Sequence, residues 1–390
     1  MRVLLIILTL IAALLAAAVL GLIIGALLPP THSLFAVIGS MLWAPFGPFL
    51  ATGSILACLC GLLAHRTGLK RLGQITLLLA VPAIIGSGAI LTRITLAATA
   101  AGGTVNLPAS FLIGPMDQTA PDRIEPLRSV IGADLRAALY LPPMMTDPAP
   151  IITYIHGGGF MTGTRTETAA DLRWFADQGW LVISVDYRLF GPDTPTWDKA
   201  PDDVACALIS VMQNAGRFGG DIARIALLGD SAGGNLAINL GFNAAAGRAT
   251  SSCGADIPVP SAIATLYPAV DPISIYNQGF PIPGFEPRML IEGYIGGTPD
   301  DFPDRIAAVA SASFVTAQAP PTLIILPEKD SLVIASGTRA FARAASAAGV
   351  PLELVQIPFA NHVFNQMAAN SLGNQIGRSI RLRFLNDHMR

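Results

Sequence analysis

The sequence predicts an α/β protein, a mostly parallel sheet with helices on both faces, preceded by about three transmembrane helices. Three observations carry that prediction. After residue 123, near-continuous apolar runs alternate with amphipathic stretches, as strands buried on both faces alternate with the helices that cover them. The first hundred residues hold five cations (Arg2, Arg66, Lys70, Arg71, Arg93) and no acid, the first acidic residue being Asp117. The chain is 52% hydrophobic and only 13% charged, whereas charged residues make up about a quarter of a typical soluble protein. At 390 residues it can hold two or three structural units.

Residues 1–100 read as a membrane region. The run from Val3 to Leu28 carries no charge. It is longer than the ~20 residues a spanning helix needs and longer than the ~7–15-residue apolar core of a cleaved signal. A second run covers residues 34–63, with Pro45 and Pro48 inside it, so a kink or a broken helix is expected there. A third covers 72–93. Buried core helices would show more polar interruption. The loop "HRTGLKR", His65 to Arg71, carries three cations, and "PPTHS" between the first two runs carries none. The positive-inside rule puts the basic loop and Arg2 in the cytoplasm, with Arg93 a weak vote against. Three spans then place everything beyond Arg93 outside the cytoplasm. The expected address is a multi-pass protein of a bacterial inner membrane, with the lipid bilayer as partner.

The remainder holds all 26 Asp and Glu and most of the 24 Lys and Arg. It is net acidic with no basic patch, which argues against a nucleic-acid partner. Cys58 and Cys60 lie in the second apolar run, where small apolar packing is their expected role. Cys206 falls in a helical pattern and Cys253 in the loop-like "ATSSCGAD"; they could pair in an oxidising compartment. No cysteine spacing resembles a zinc site.

Residues 101–123, small and flexible in composition, read as a linker, and 124–390 as one further domain. There "LRSVI" and "LRAALYL" flanking "GAD" signal a hairpin. Strands are expected at "PIITYIH", "LVISVDY", "RIALLGD", "SAIATLYP", "PTLIILP" and "LELVQIP". Helices are expected at "TAADLRWFADQGW", "DDVACALISVMQNA" and "TRAFARAASAAG". The last residues, "NDHMR", read as a polar tail.

Two motifs carry chemistry. "LLGDSAGGNLA", residues 227–237, sets Ser231 on a sharp turn between a strand and a helix. Such a nucleophile elbow lifts Oγ clear of the sheet and needs small neighbours two residues away on each side. The helix behind it aims backbone N–H groups at a bound oxyanion. "YIHGGGF", Tyr154 to Phe160, offers consecutive glycines whose backbone can approach a substrate with no Cβ in the way. His156, at the strand end before those glycines, is expected to shape the loop rather than act as a base.

"HGGGF" followed by "GDSAGGNLA", with "SVDYRL" and "APDDVACAL" between them, resembles the hormone-sensitive-lipase-like branch of the α/β-hydrolase superfamily, a group of carboxylesterases. The resemblance covers about residues 124–390. It implies the α/β-hydrolase fold and a triad in the order Ser, Asp, His, with Ser231 as nucleophile. It places oxyanion donors on Ala232 and on two of Gly157, Gly158 and Gly159, without choosing between the glycines. Feruloyl and acetyl esterases share these motifs, so no one ester is implied. The membrane spans depart from typical soluble members.

Of five histidines (His32, His65, His156, His362, His388), the first two belong to the membrane region and the last to the tail. His362 in "IPFANHVFN", just after a strand, is the expected base. Asp330 in "PTLIILPEKDSLV" is its expected orienting acid, with Glu328 as rival; Asp271 reads as a pocket or loop residue. Ser231 would attack an ester carbonyl, His362 would move the proton and Asp330 would hold the imidazole. No metal or organic cofactor is needed. The aromatic, Gly- and Pro-rich segment 271–306 is long enough to be functional and reads as a cap over an apolar acyl pocket. The activity expected is that of a membrane-anchored serine esterase or lipase. A serine peptidase or acyltransferase on the same fold shares the acyl-enzyme and stands as the alternative, ahead of a non-catalytic binding module.

Overall fold

In the computed structural model the described residues are 2–30, 33–130, 133–144, 147–278 and 286–389. They form two compact units. The first comprises residues 1–114, 327–331 and 356–376; the second comprises 115–326, 332–355 and 377–390.

The first unit is mainly helical: α1 (Arg2–Leu27), α2 (Leu34–Met41), α3 (Trp43–Arg66) and α4 (Lys70–Ala100). Of these, α1, α3 and α4 are long and apolar enough to cross a membrane. Their large side chains point outward: Leu14, Leu78 and Ile85 are all more than 60% exposed. Their seam is made of small residues, Ala12, Ala16, Ala57 and Ala80. Close backbone approach is how helices pack where lipid removes any hydrophobic drive between them. The second apolar run is indeed broken, but ahead of its prolines. The ring of Pro45 would collide with the carbonyl four residues back, at Met41, where α2 ends. Pro45 itself then falls in the first turn of α3, where a missing N–H costs little.

The helix α4 runs through "AATA" to Ala100, and the N–H groups of Gly102 and Gly103 close its end on Thr99 and Ala98. The linker that follows is tied down over its first part. Asn106 N–H donates to Gln375 Oε1 at 2.7 Å, and Gly114 bridges to Ala369.

The second unit is built on the expected sheet. Its strands are β1 (Arg123–Val130), β2 (Ala133–Tyr140), β3 (Ala149–Ile155), β4 (Leu181–Val185), β5 (Gly220–Asp230), β6 (Ala262–Leu266), β7 (Thr322–Pro327) and β8 (Leu352–Ile357). Their order is β1-β2-β4-β3-β5-β6-β7-β8. The hairpin β1–β2 and the pair β2–β4 are antiparallel; β4, β3, β5, β6 and β7 run parallel. The turn of the hairpin, residues 131–132, lies outside the described residues. All seven residues of β3 are buried, as a central strand covered on both faces requires.

The covering helices are α5 (Ala169–Asp177), α6 (Lys199–Asn214), α7 (Ala232–Ala245) and α11 (Ala335–Ala347). Between β6 and β7 lie three short helices, α8 (Pro272–Asn277), α9 (Pro287–Ile295) and α10 (Pro303–Val309). They occupy the segment expected to be a cap, of which 279–285 lie outside the described residues. Cys206 on α6 and Cys253 form a disulfide, with Cα atoms 5.6 Å apart.

One reading is corrected. The C-terminal residues are not a polar tail but helix α12 (Leu372–Met389). Leu372, Ile376, Ile380 and Phe384 recur every fourth residue and are all buried. That spacing is a helix face, and His388 packs against Phe384 on it.

Candidate active site

Strand β5 ends at Asp230 and α7 begins at Ala232, so Ser231 is the whole of the turn between them. Its backbone sits at φ 54°, ψ −116°, a region that costs a non-glycine residue about 1–3 kcal/mol and persists only where its surroundings impose it. Ser231 N–H donates to Leu266 O at 2.9 Å, and Ser231 O accepts from Asn235 N and Ala269 N, both at 3.1 Å. The small neighbours are required by the turn. A Cβ on Gly229 would lie 2.3 Å from Gly233 O, and one on Gly233 would lie 2.1 Å from Ile155 O.

The glycine loop lies beside this elbow. A Cβ on Gly157 would be 3.0 Å from Asp230 O and 3.5 Å from Ser231 Cβ. Gly158 adopts φ 102°, where a Cβ would meet Thr162 O at 2.0 Å. Its carbonyl accepts from Met161 and Thr162, which folds the loop back on itself. Gly159 faces Leu290 of α9, and the Phe160 ring stacks on Tyr294 of the same helix at 3.8 Å. Gly157, Gly158, Gly159, Ser231 and Ala232 are thus gathered at the ends of two neighbouring parallel strands, where open α/β sheets bind ligands.

His156 is buried, and its Nδ1 donates to Gly157 O at 2.8 Å. Tyr187 stacks on the ring, and its hydroxyl donates to His156 O. Burial pushes the imidazole below its ordinary pKa. A neutral ring committed to its own loop is a shaping residue, as expected.

Asp330 and His362 come together in the first unit. His362 Nδ1 lies 2.8 Å from Asp330 Oδ2, and both side chains are buried. A carboxylate oxygen accepts, so in this contact Nδ1 is the donor. Glu328, the rival acid, is exposed. Asp271 serves elsewhere, capping α8 by accepting from Ser274 N–H. Two features had no signal in the sequence. Asn361 Oδ1 accepts from Ser331 N–H and from His362 N–H, at 2.9 and 2.7 Å. Beneath the elbow, Asp230 accepts from Arg381 at 3.0 Å and from the Tyr154 hydroxyl at 3.0 Å, all three groups being buried.

Comparison with known proteins agrees with this geometry. Residues 138–344, just over half of the chain, match the BD-FAE family. The ethyl acetate hydrolase of Pseudomonas putida is 29% identical over 276 residues, covering 67% of this chain and 81% of that protein. The carboxylesterase NlhH of Mycobacterium tuberculosis is 40% identical over 104 residues, covering 26% of this chain and 32% of that protein. The structure of Thermogutta terrifontis esterase 2 phosphonylated by sarin shares the fold, with a TM-score of 0.58 at 22% identity, over 70% of this chain and 96% of that one. With its parallel sheet, its elbow and its esterase relatives, the chain belongs to the BD-FAE family, is a hormone-sensitive-lipase-like α/β-hydrolase, and is a carboxylic ester hydrolase.

Proposed function

We propose that the protein is a membrane-anchored serine esterase in which Ser231, His362 and Asp330 act as a triad. The observation that carries this reading is the backbone of Ser231, held at positive φ on the turn between β5 and α7. Ser231 Oγ attacks the ester carbonyl while His362 Nε2 takes its proton. The oxyanion of the tetrahedral intermediate is held by Ala232 N–H and by N–H groups of the Gly157–Gly159 loop. His362 then protonates the leaving alcohol, and an acyl-enzyme on Ser231 is hydrolysed by water in the same two steps. Asp330 holds the imidazole tautomer and stabilises the imidazolium.

The substrate class is a small-molecule ester with a short acyl group. Leu290 already stands 3.0 Å from where a Cβ of Gly159 would be, and the Phe160–Tyr294 stack lies beside it. What supports the short-acyl reading is a relative named ethyl acetate hydrolase. Residues 1–100 form the membrane region, 101–123 a linker and 124–390 the catalytic domain. The disulfide between Cys206 and Cys253 supports an extracytoplasmic address, since such bonds persist in oxidising compartments.

A serine-directed fluorophosphonate tests the reading. The protein should be labelled once, and Ser231→Ala should remove both labelling and hydrolysis of p-nitrophenyl acetate. Labelling that persists in Ser231→Ala moves the nucleophile elsewhere. A preference for p-nitrophenyl decanoate over the acetate overturns the short-acyl assignment.

A further inference from the structure

The side chain of Asn361 joins the two segments that carry the acid and the base. Its Oδ1 accepts from Ser331 N–H and Ser331 Oγ, both at 2.9 Å, one residue beyond Asp330. It also accepts from the N–H of His362 itself at 2.7 Å. An amide has a second orientation, turned by half a revolution, that would point its NH2 at those same donors. The backbone N–H groups of Ser331 and His362 exclude that orientation, and the far end of the amide is anchored by Nδ2, which donates to Ser40 Oγ at 2.7 Å. Ser40 can only accept there. Its own proton is directed at the carbonyls of Ala36 and Val37, each 3.0 Å away. Both Ser40 and Asn361 are 1% exposed.

Ser40 lies on α2, outside the residues 138–344 that match the family. That helix is fixed at both ends. Ser33 Oγ caps it by accepting from Ala36 N–H, and just beyond it Trp43 Nε1 donates to Leu22 O on α1. We infer that Ser40 is a positioning residue of the esterase, which sets the Asn361 amide and through it the geometry of the Asp330–His362 pair. The membrane region then does more than anchor, because it supplies part of the frame of the catalytic base. This rests on the reading of Asp330 and His362 as acid and base.

The test is a double-mutant cycle on the full-length protein in nanodiscs, with p-nitrophenyl acetate as substrate. Rates are taken per site counted by fluorophosphonate titration, so that unfolded protein is not scored. Ser40→Ala should lower kcat about three- to tenfold with KM nearly unchanged, as loss of one buried hydrogen bond felt mainly in the transition state predicts. In the Asn361→Ala background the same substitution should cost nothing further, since its partner is gone. Unchanged kcat in Ser40→Ala, or a cost that adds in full to that of Asn361→Ala, overturns the positioning role. Asp330→Asn, run beside them, separates the two failures. If it retains full rate, the acid–base reading falls and this inference with it. If it abolishes the rate while Ser40→Ala is silent, only the inference falls.

Discussion

At the scale of single residues, burial and one contact set Asp330 apart from Glu328. Asp330 and Glu328 lie two residues apart after the same strand, and the sequence favours Asp330 with Glu328 as rival. The structure separates them, because Asp330 is buried against His362 Nδ1 and Glu328 is exposed. Asp330→Asn should therefore lower kcat by roughly 10⁴-fold, the cost of presenting the wrong imidazole tautomer in a serine protease. Glu328→Gln should leave the rate nearly unchanged. The reverse order in steady-state kinetics would transfer the role to Glu328. Asn361 was beyond sequence reasoning for a plain reason. An asparagine before a histidine is an ordinary loop dipeptide, and its two contacts with Ser331 exist only once distant segments meet.

At the scale of elements, the turn that carries Ser231 rests on an ion pair that no local pattern announces. Asp230, next to Ser231, is buried with Arg381 on α12, and Asp171 lies 3.8 Å from the same guanidinium. Removing one member of a buried pair leaves the other charge without compensation. Arg381→Met should therefore destabilise the protein by about 3–5 kcal/mol, read as a lower midpoint of thermal inactivation of esterase activity. A midpoint equal to that of the unsubstituted protein would show that Tyr154 alone satisfies Asp230. No strong local pattern marks this helix. Gly373 and Gly377 dilute its apolar face, and glycine is a poor helix former. The recurrence of apolar residues at 372, 376, 380 and 384 was the available signal. By contrast, the break in the second apolar run was legible, and its placement followed from the carbonyl that Pro45 would meet.

At the scale of the whole molecule, the side of the membrane follows from few charges. Arg66, Lys70 and Arg71 crowd the short connection between α3 and α4. Helix α2, at eight residues, is far shorter than the ~20 a span requires. Three crossings with that loop in the cytoplasm would put the C-terminus outside it. A fusion of alkaline phosphatase after Arg390 should therefore be active, and a fusion of green fluorescent protein exported by the general secretory route should be dark. A bright and phosphatase-inactive pair would reverse the orientation and place the Cys206–Cys253 disulfide in a reducing compartment. The hairpin and the succession of strands and helices follow the alternation of apolar runs and amphipathic stretches, whereas the order of strands across the sheet is set by the tertiary fold.

By itself the sequence determined what is local. The order of strands and helices, the elbow around Ser231, the glycine run before Phe160 and the three apolar spans each depend on residues within about one element of each other. Periodicity, charge and backbone sterics act over that distance. Only the tertiary structure decided what depends on partners far along the chain: Arg381 against Asp230, Cys206 bonded to Cys253, and Ser40 under Asn361. Those choices turn on whether a buried polar group finds its partner, and a partner 151 or 321 residues away leaves no trace in the neighbourhood of either residue.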